Sequence, residues 1–351
     1  MSELRKIFTL NKFEATLLVD EEYDGMRLDQ FLQDYLVSFS REQVKAKIKN
    51  GDIKIKDRHH PNKPSIKVYH REIVTVTTHR GTLEDVYWRG EKIDLPQECE
   101  IVFQDDNIII MNKPPYMTTH PTGKHLFYCA TVYLENLLGQ PVHNIHRLDR
   151  ETSGVMMMCL NPEVANECTK YFELNQVKKC YFFIAHKEKE VTFPFTANER
   201  LGEKEGFIPR MYAHCFPENS SEGKRAQTHF KLLLEKDGYV LGLAFPKTGR
   251  QHQIRSHAAF HGLPLLGDKL YNGDVEVFRR YKDEVPTKED FDKMQISRHA
   301  LHATAINFPY NGGTTVRASI PFDLAEWLKN KLNINAQDIN LEIDRVIKDF
   351  F

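Results

Sequence analysis

Nine residues from His146 to Gly154, HRLDRETSG, run without a break into the apolar stretch Gly154–Leu160, GVMMMCL. A continuous apolar run of this length reads as a strand buried on both faces. Asn161-Pro162 then supply an N-cap and a first-turn proline for a helix bearing Val164, Ala165, Cys168, Tyr171 and Phe172. A charge-dense loop held at the end of a buried strand is a common seat for catalytic side chains. The stretch IVFQDDNIIIMNKPP predicts two more strands around a turn at Asp105-Asp106-Asn107, stopped by Pro114 and Pro115. KCYFFIAH, THFKLLLE, GYVLGLAF and HATAINF add further strands. Many strands with few interspersed helices predict an α+β domain around a largely antiparallel, mixed sheet.

A smaller unit precedes it. Leu28, Phe31, Leu32, Tyr35 and Leu36 recur at helical spacing. Ser40 followed by Gln43 is a capping box opening a second helix with Val44 and Ile48, which Gly51 closes. Ile53 and Ile55 alternate with lysines, and Val74 and Val76 with threonines, so short strands follow. Between Arg41 and Arg71 ten Lys/Arg face three acids, a surplus of seven in a chain whose net charge is −1. Most charge runs are solvated faces, but a cationic cluster is also what phosphate binding requires. Arg41, Lys45, Lys49 and Lys54 are the candidate RNA-binding residues. The expected organisation is an N-terminal extension (1–17), a small α+β head (18–80), an acidic linker (81–97), a large α+β domain (98–322) and a helical tail (323–351). Two folded units suit a length of 351 residues.

Several classes are disfavoured. No run of eighteen apolar residues exists, so no transmembrane helix is expected. Lys6, Lys12 and Glu14 interrupt the opening apolar stretches, unlike a secretory or transit segment. Six scattered cysteines without a CxxC pair read as free thiols in a reducing cytoplasm. Sixteen histidines suggest metal, but neither HExxH nor Cys/His ligand spacing occurs, so no metal is expected. No nucleotide-binding glycine loop is present, and no cofactor is expected. A monomer is expected.

Four segments look overspecified for packing: the His146–Gly154 loop, Lys179-Cys180-Tyr181, Lys247–His257 (KTGRQHQIRSH) and Leu263–Tyr271 (LPLLGDKLY). Each alone is ordinary; an aspartate in a loop is more often a turn residue than a nucleophile. Their joint order is not, with Tyr181 lying 32 residues after Asp149 and Arg255 lying 74 after Tyr181. With these motifs the chain resembles the RluA-type pseudouridine synthases, whose HRLDxxTSG loop is met without departure. It is similar also in the K-x-Y and TGRxHQIRxH elements, in Gly262–Tyr271 and in Leu301–Ala303, over about residues 98–322. The head resembles the small RNA-binding domain named for ribosomal protein S-four.

The resemblance implies a pseudouridine-synthase-type catalytic domain with a central cleft, isomerising uridines in structured RNA without a cofactor. It implies that Asp149 is the essential carboxylate, kept ionised by Arg255, whose guanidinium can offer two-point pairing. Tyr181 matches the tyrosine that stacks on the target base, a contact tolerant of ring rotation. Arg147 matches an arginine that fills the space left by a flipped nucleotide and contacts phosphate; the plain alternative is a structural salt bridge. His146, Arg250, His252 and Gln253 are candidates for substrate contact or for hydrogen bonds that shape the loops. Large-subunit ribosomal RNA is the favoured substrate. His120-Pro121-Thr122-Gly123 resembles a loop of branches acting on transfer RNA, which keeps that substrate open. A retired enzyme that only binds RNA, and a metal-dependent hydrolase, are the rivals of another class.

Overall fold

Phe13, Ala15 and Leu17 are buried while Glu14, Thr16 and Leu18 are not, the alternation of a strand with one covered face. They lie in a computed structural model that describes residues 1–351 except 38, 60–62, 82–83, 124, 207–210 and 274. The chain divides into two compact units, one of Met1–Val86 with Thr118–Gln140, the other of Tyr87–Met117 with Pro141–Phe351.

In the first unit, β1 (Ser2–Phe8), β2 (Lys12–Leu18), β3 (Ile53–Ile55) and β4 (Ile73–His79) form an antiparallel sheet in the order β1-β2-β4-β3. α1 (Leu28–Tyr35) and α2 (Arg41–Lys49) bury Leu28, Phe31, Leu32, Val44 and Ile48 in a core with the sheet. The expected capping box is present, with Ser40 and Gln43 bonding each other's backbone N–H groups. Gly51 has φ +82°, the left-handed turn that ends the helix.

Two expectations need correcting. Residues 1–17, read as an extension, supply β1 and most of β2. β1 was hidden because it is an edge strand with five exposed residues in succession and no apolar alternation. Residues 118–140, read as part of the large domain, belong with the first unit. There Phe127 is buried among the side chains of α1, α2 and the sheet. The Glu84 carboxylate, in the stretch read as a linker, accepts the N–H groups of Leu126, Phe127 (2.9 Å) and Tyr128 (3.0 Å). A helix α3 (Ala130–Leu138) follows this tethered turn.

The second unit opens with a hairpin, β5 (Tyr87–Trp88) and β6 (Glu91–Lys92). Its main sheet contains β7 (Ile101–Gln104), β8 (Ile108–Lys113), β9 (His143–Asn144), β10 (Ser153–Cys159), β11 (Lys178–His186) and β12 (Phe195–Ala197). A side hairpin, β13 (Arg200–Gly202) with β14 (His214–Phe216), precedes β15 (Thr228–Lys236), β16 (Tyr239–Pro246), β17 (Leu301–Phe308) and β18 (Thr314–Arg317) of the main sheet. The sheet order is β12-β15-β16-β11-β17-β10-β8-β7, with β9 added at β10 and β18 at β17. It is the mixed, largely antiparallel α+β sheet expected; β10 and β17 form the parallel pair. Every residue of β10 is buried.

Helices α4 (Pro162–Glu173), α5 (Gln253–Phe260), α6 (Val275–Asp283), α7 (Lys288–Met294), α8 (Phe322–Leu332) and α9 (Ala336–Phe350) complete the unit. Alternation along β11 and β16 decides what each covers. Cys180, Phe182 and Ile184 pack with Leu241 and Leu243 against Trp327 and Leu328 of α8 and Ile343 and Ile347 of α9. Tyr181, Phe183 and Ala185 face the other way, into a cluster with Ile254 and Ala258 of α5. The tail is thus the back wall of the sheet, and α5 flanks its front.

Candidate active site

The loop from His146 to Thr152 is held at nearly every residue. Gly154 has φ +112°, and a Cβ there would lie 2.1 Å from the Ala303 carbonyl oxygen. Only glycine lets the chain pass from the loop into β10 so close beside β17. Ser153 Oγ lies 2.9 Å from His302 Nδ1, and Thr152 Oγ1 lies 2.8 Å from His299 Nε2. Glu151 accepts from Lys269 Nζ at 2.9 Å and from the His299 N–H at 3.1 Å. Burial would raise the Glu151 carboxyl, yet Lys269 and His299 hold it well below its ordinary range. Behind the loop, fully buried Lys113 donates to the carbonyls of Pro114 (2.9 Å), Met117 (2.8 Å) and Arg150 (3.4 Å).

This scaffold presents Asp149 to Arg255, in the first turn of α5. Arg255 Nη1 donates to Asp149 Oδ2 at 3.0 Å. The expected two-point pairing exists, but with a different carboxylate. Arg255 Nε and Nη2 reach Asp268 Oδ2 and Oδ1 at 2.7 and 2.8 Å. Asp268 is fully buried and also accepts the N–H groups of Leu270 and Tyr271. It fixes the guanidinium plane with Nη1 turned toward Asp149. The Tyr271 ring lies 5.2 Å from the guanidinium carbon. Burial pushes the Asp149 carboxyl up, but His252, Arg255 and His299 outweigh it and hold it at about 2. Burial holds His252 itself at about 4. At neutral pH it is uncharged, and Arg255 is the cation facing Asp149.

His252, at φ +54° before α5, places Nε2 3.9 Å from Asp149 Oδ2 and Nδ1 3.2 Å from the Tyr271 hydroxyl. Tyr181 stands on the front of β11, between Ala244 and Ala303 of the neighbouring strands. Burial first, and then the Asp149 charge, pushes its hydroxyl pKa upward, so the phenol keeps its proton.

Two expected substrate contacts have side-chain polar atoms bonded within the protein. His146 accepts the Met157 N–H at 2.9 Å and stacks on Phe172 with centroids 4.8 Å apart. Burial, and then Lys179, hold it neutral with a pKa of about 3. Gln253 donates to Gln227 O and Thr228 Oγ1, both at 2.9 Å, and accepts from Thr248 Oγ1 and the Arg250 N–H. Both tie neighbouring segments together at the edge of the cleft. Arg250 is exposed and donates from Nε to Arg225 O at 3.0 Å. Arg147 is exposed and makes no ion pair among the described residues, against the salt-bridge alternative.

Asp149, Tyr181, Arg255, Arg147, His146, Arg250, His252 and Gln253 all line one cleft of about 410 Å³, with Phe172, Pro246, Ile254 and Leu301 as its apolar surface. Lys179 lines it too. In the first unit, Arg41 and Lys49 on α2 and Lys54 on β3 are exposed, while Lys45 pairs with Glu42 at 2.8 Å. No group of three or more His, Cys, Asp or Glu able to hold a metal occurs among the described residues. No described helix is long and apolar enough to cross a membrane.

A family model described as RNA pseudouridylate synthase matches residues 107–260, which hold Asp149, Tyr181 and Arg255. Ribosomal large subunit pseudouridine synthase D of Vibrio vulnificus is 28% identical over 94% of this chain and 98% of its own length. The mitochondrial tRNA pseudouridine(32) synthase of Saccharomyces cerevisiae is 29% identical over 77% of this chain and 55% of its own. An RNA pseudouridine synthase of Mycoplasma genitalium is 30% identical over 70% of this chain and 77% of its own. The human protein titled RNA Pseudouridylate Synthase Domain Containing 1 shares the fold, with a TM-score of 0.51 at 21% identity over 64% of this chain and 85% of that one. By these matches the chain belongs to the RluA-type RNA pseudouridine synthases, enzymes that isomerise uridine within RNA.

Proposed function

We propose that Asp149 is the catalytic carboxylate of this synthase, and that its substrate is large-subunit ribosomal RNA. The reaction breaks the N1–C1′ bond of a uridine, turns the uracil and re-forms the bond through C5, with no net change of redox state. Whether the carboxylate adds to the nucleoside or removes a ribose proton, it acts ionised. The observation that carries the reading is a half-buried Asp149, held at about 2 and facing the cleft, with one N–H of Arg255 directed to it. Tyr181 is the stacking surface for the base and, with its proton retained, a relay that takes up the C5 proton only as its own phenolic proton passes on, C5 losing one proton and N1 gaining one. Arg147, exposed and without an ion pair among the described residues, is free to enter the stack that the flipped uridine leaves.

The ribosomal substrate is supported by the full-length similarity to the Vibrio enzyme. Arg41, Lys45, Lys49 and Lys54 are the RNA-binding face of the first unit, and the six free cysteines suit a cytoplasmic enzyme. A pseudouridine map of total RNA tests both parts, comparing cells with the normal protein to cells carrying Asp149→Ala. Sites that vanish from large-subunit ribosomal RNA support the reading. Vanishing transfer-RNA sites redirect the substrate and keep the chemistry; identical maps remove the catalytic assignment.

A further inference from the structure

Two adjacent lysines open β11, and their surroundings differ. Lys178 points away from the cleft, with Nζ donating to the Phe351 carbonyl at 2.7 Å. Lys179 shares the front face with Tyr181, two residues on, and lines the cleft. Its ammonium has one hydrogen bond, a long one of 3.3 Å to the Thr248 carbonyl, and no carboxylate partner among the described residues. Two neighbouring ammonium groups are better served, Lys113 by three carbonyls and Lys269 by the Glu151 carboxylate and the Ser297 carbonyl. Burial alone pulls the Lys179 amine down to about 8, with no acidic neighbour to offset it. It is therefore still mostly charged at neutral pH. Lys179 is half-buried, and a partly desolvated cation without a counter-charge is unfavourable in the empty protein and favours an incoming anion. The substrate brings one such group at every nucleotide, its phosphodiester.

We propose that Lys179 is a phosphate anchor, whose ammonium binds a phosphodiester adjoining the target uridine and so seats that nucleotide beside Tyr181. The assignment rests on the reading of this cleft as the uridine site. It gives Lys179 a role in ground-state binding and predicts that its removal does not weaken the fold.

The test uses the full-length protein and an RNA fragment spanning a uridine whose modification is lost in the Asp149→Ala map. The phosphodiesters flanking that uridine are replaced one at a time by neutral methylphosphonates. For the normal enzyme, one replacement should lower kcat/KM by about 10- to 100-fold, mainly through KM, as expected for one charge-assisted contact. Lys179→Met should lower kcat/KM on natural RNA by a similar factor and show no further loss with that methylphosphonate. Lys179→Arg should retain most activity and the sensitivity to the linkage. The Lys179→Met melting temperature should be unchanged or raised. Equal sensitivity of Lys179→Met and the normal enzyme at every linkage would overturn the proposal. So would a fall in melting temperature with activity following only the folded fraction. If Lys179→Met yields no folded protein, the normal enzyme and Lys179→Arg still decide, because indifference to every flanking methylphosphonate refutes the anchor. A map with no lost site would instead remove the uridine-site reading beneath it.

Discussion

Arg255 divides its guanidinium between two carboxylates, two contacts to Asp268 and one to Asp149. Asp268 never reaches the cleft lining, so its influence on the reaction passes through the arginine it orients. Asp268→Asn keeps the shape and removes the charge, leaving a buried guanidinium half satisfied. Breaking such a pair is expected to destabilise the fold by about 3–5 kcal/mol. Turnover of the folded fraction should drop by about 100-fold, since small misplacements of a catalytic partner have effects of that size. KM should change little, because Asp268 is not proposed to touch RNA. Steady-state kinetics on protein normalised for folded content measure both; an unchanged kcat would remove the positioning role. Asp149 and Arg255 were legible in the sequence through their motifs. The role of Asp268 was not, although it sits in the quoted LPLLGDKLY segment. Its significance comes from a fork-to-carboxylate geometry that residue order does not encode. The same holds for Glu151, whose partners Lys269 and His299 lie more than a hundred residues away.

At the scale of elements, α8 and α9 carry more than their place outside the family resemblance suggests. Their apolar pattern was readable as helix, but which surface they covered was not, because that depends on the alternation of distant β11 and β16. Trp327 is 8% exposed and packs edge-on to Tyr239 with centroids 5.0 Å apart. Trp327→Ala should destabilise the second unit by about 3–5 kcal/mol while leaving kcat of folded protein near normal, because it acts on the back of the sheet. Chemical denaturation beside an activity assay at low temperature tests this, and a kcat loss without destabilisation would contradict it. The first unit makes a separate case. Its β1 strand and the turn at 126–128 escaped the sequence reading for one reason: an exposed edge strand and a tethered turn show no period. Because Phe127 is built into that core, removing residues 1–80 would strip its packing, and charge substitutions are the better probe. Replacing exposed Arg41, Lys49 and Lys54 by glutamine should weaken RNA binding and flatten its dependence on log salt by about 0.9 per lost phosphate contact. A salt slope equal to that of the normal protein would argue that this face is only solvated.

For the whole molecule, buried neutral histidines set the response to acid. Burial holds His146 and His302 at about 3 and His252 at about 4, all below the ordinary 6.5. His257 and His299 are lowered too. Between its folded and unfolded pKa, such a histidine binds fewer protons when folded than when unfolded. Stability therefore rises with pH through that window and falls on acidification from about 6.5. Asp149, Glu151 and Asp268 have depressed pKa values and add to this acid loss only at lower pH. Their stabilisation is fully present above their unfolded values of 3.8 and 4.5 and is lost below them. The interval from pH 7 to pH 5 thus isolates the histidines. Each of the three most perturbed should withdraw up to about 2 kcal/mol over it, at 1.36 kcal/mol per pH unit below 6.5. Together they approach the net stability of an ordinary domain, about 5–15 kcal/mol. Urea unfolding should show a lower midpoint at pH 5 than at pH 7, with proton uptake on unfolding. In His302→Asn, which keeps a polar group opposite Ser153, the pH 7 to pH 5 difference should shrink by about 2 kcal/mol. Equal midpoints at the two pH values would mean that these rings are solvated or protonated in the folded protein. The Ser153–His302 and Met157–His146 contacts would then be poor guides to how the HRLDRETSG loop is held.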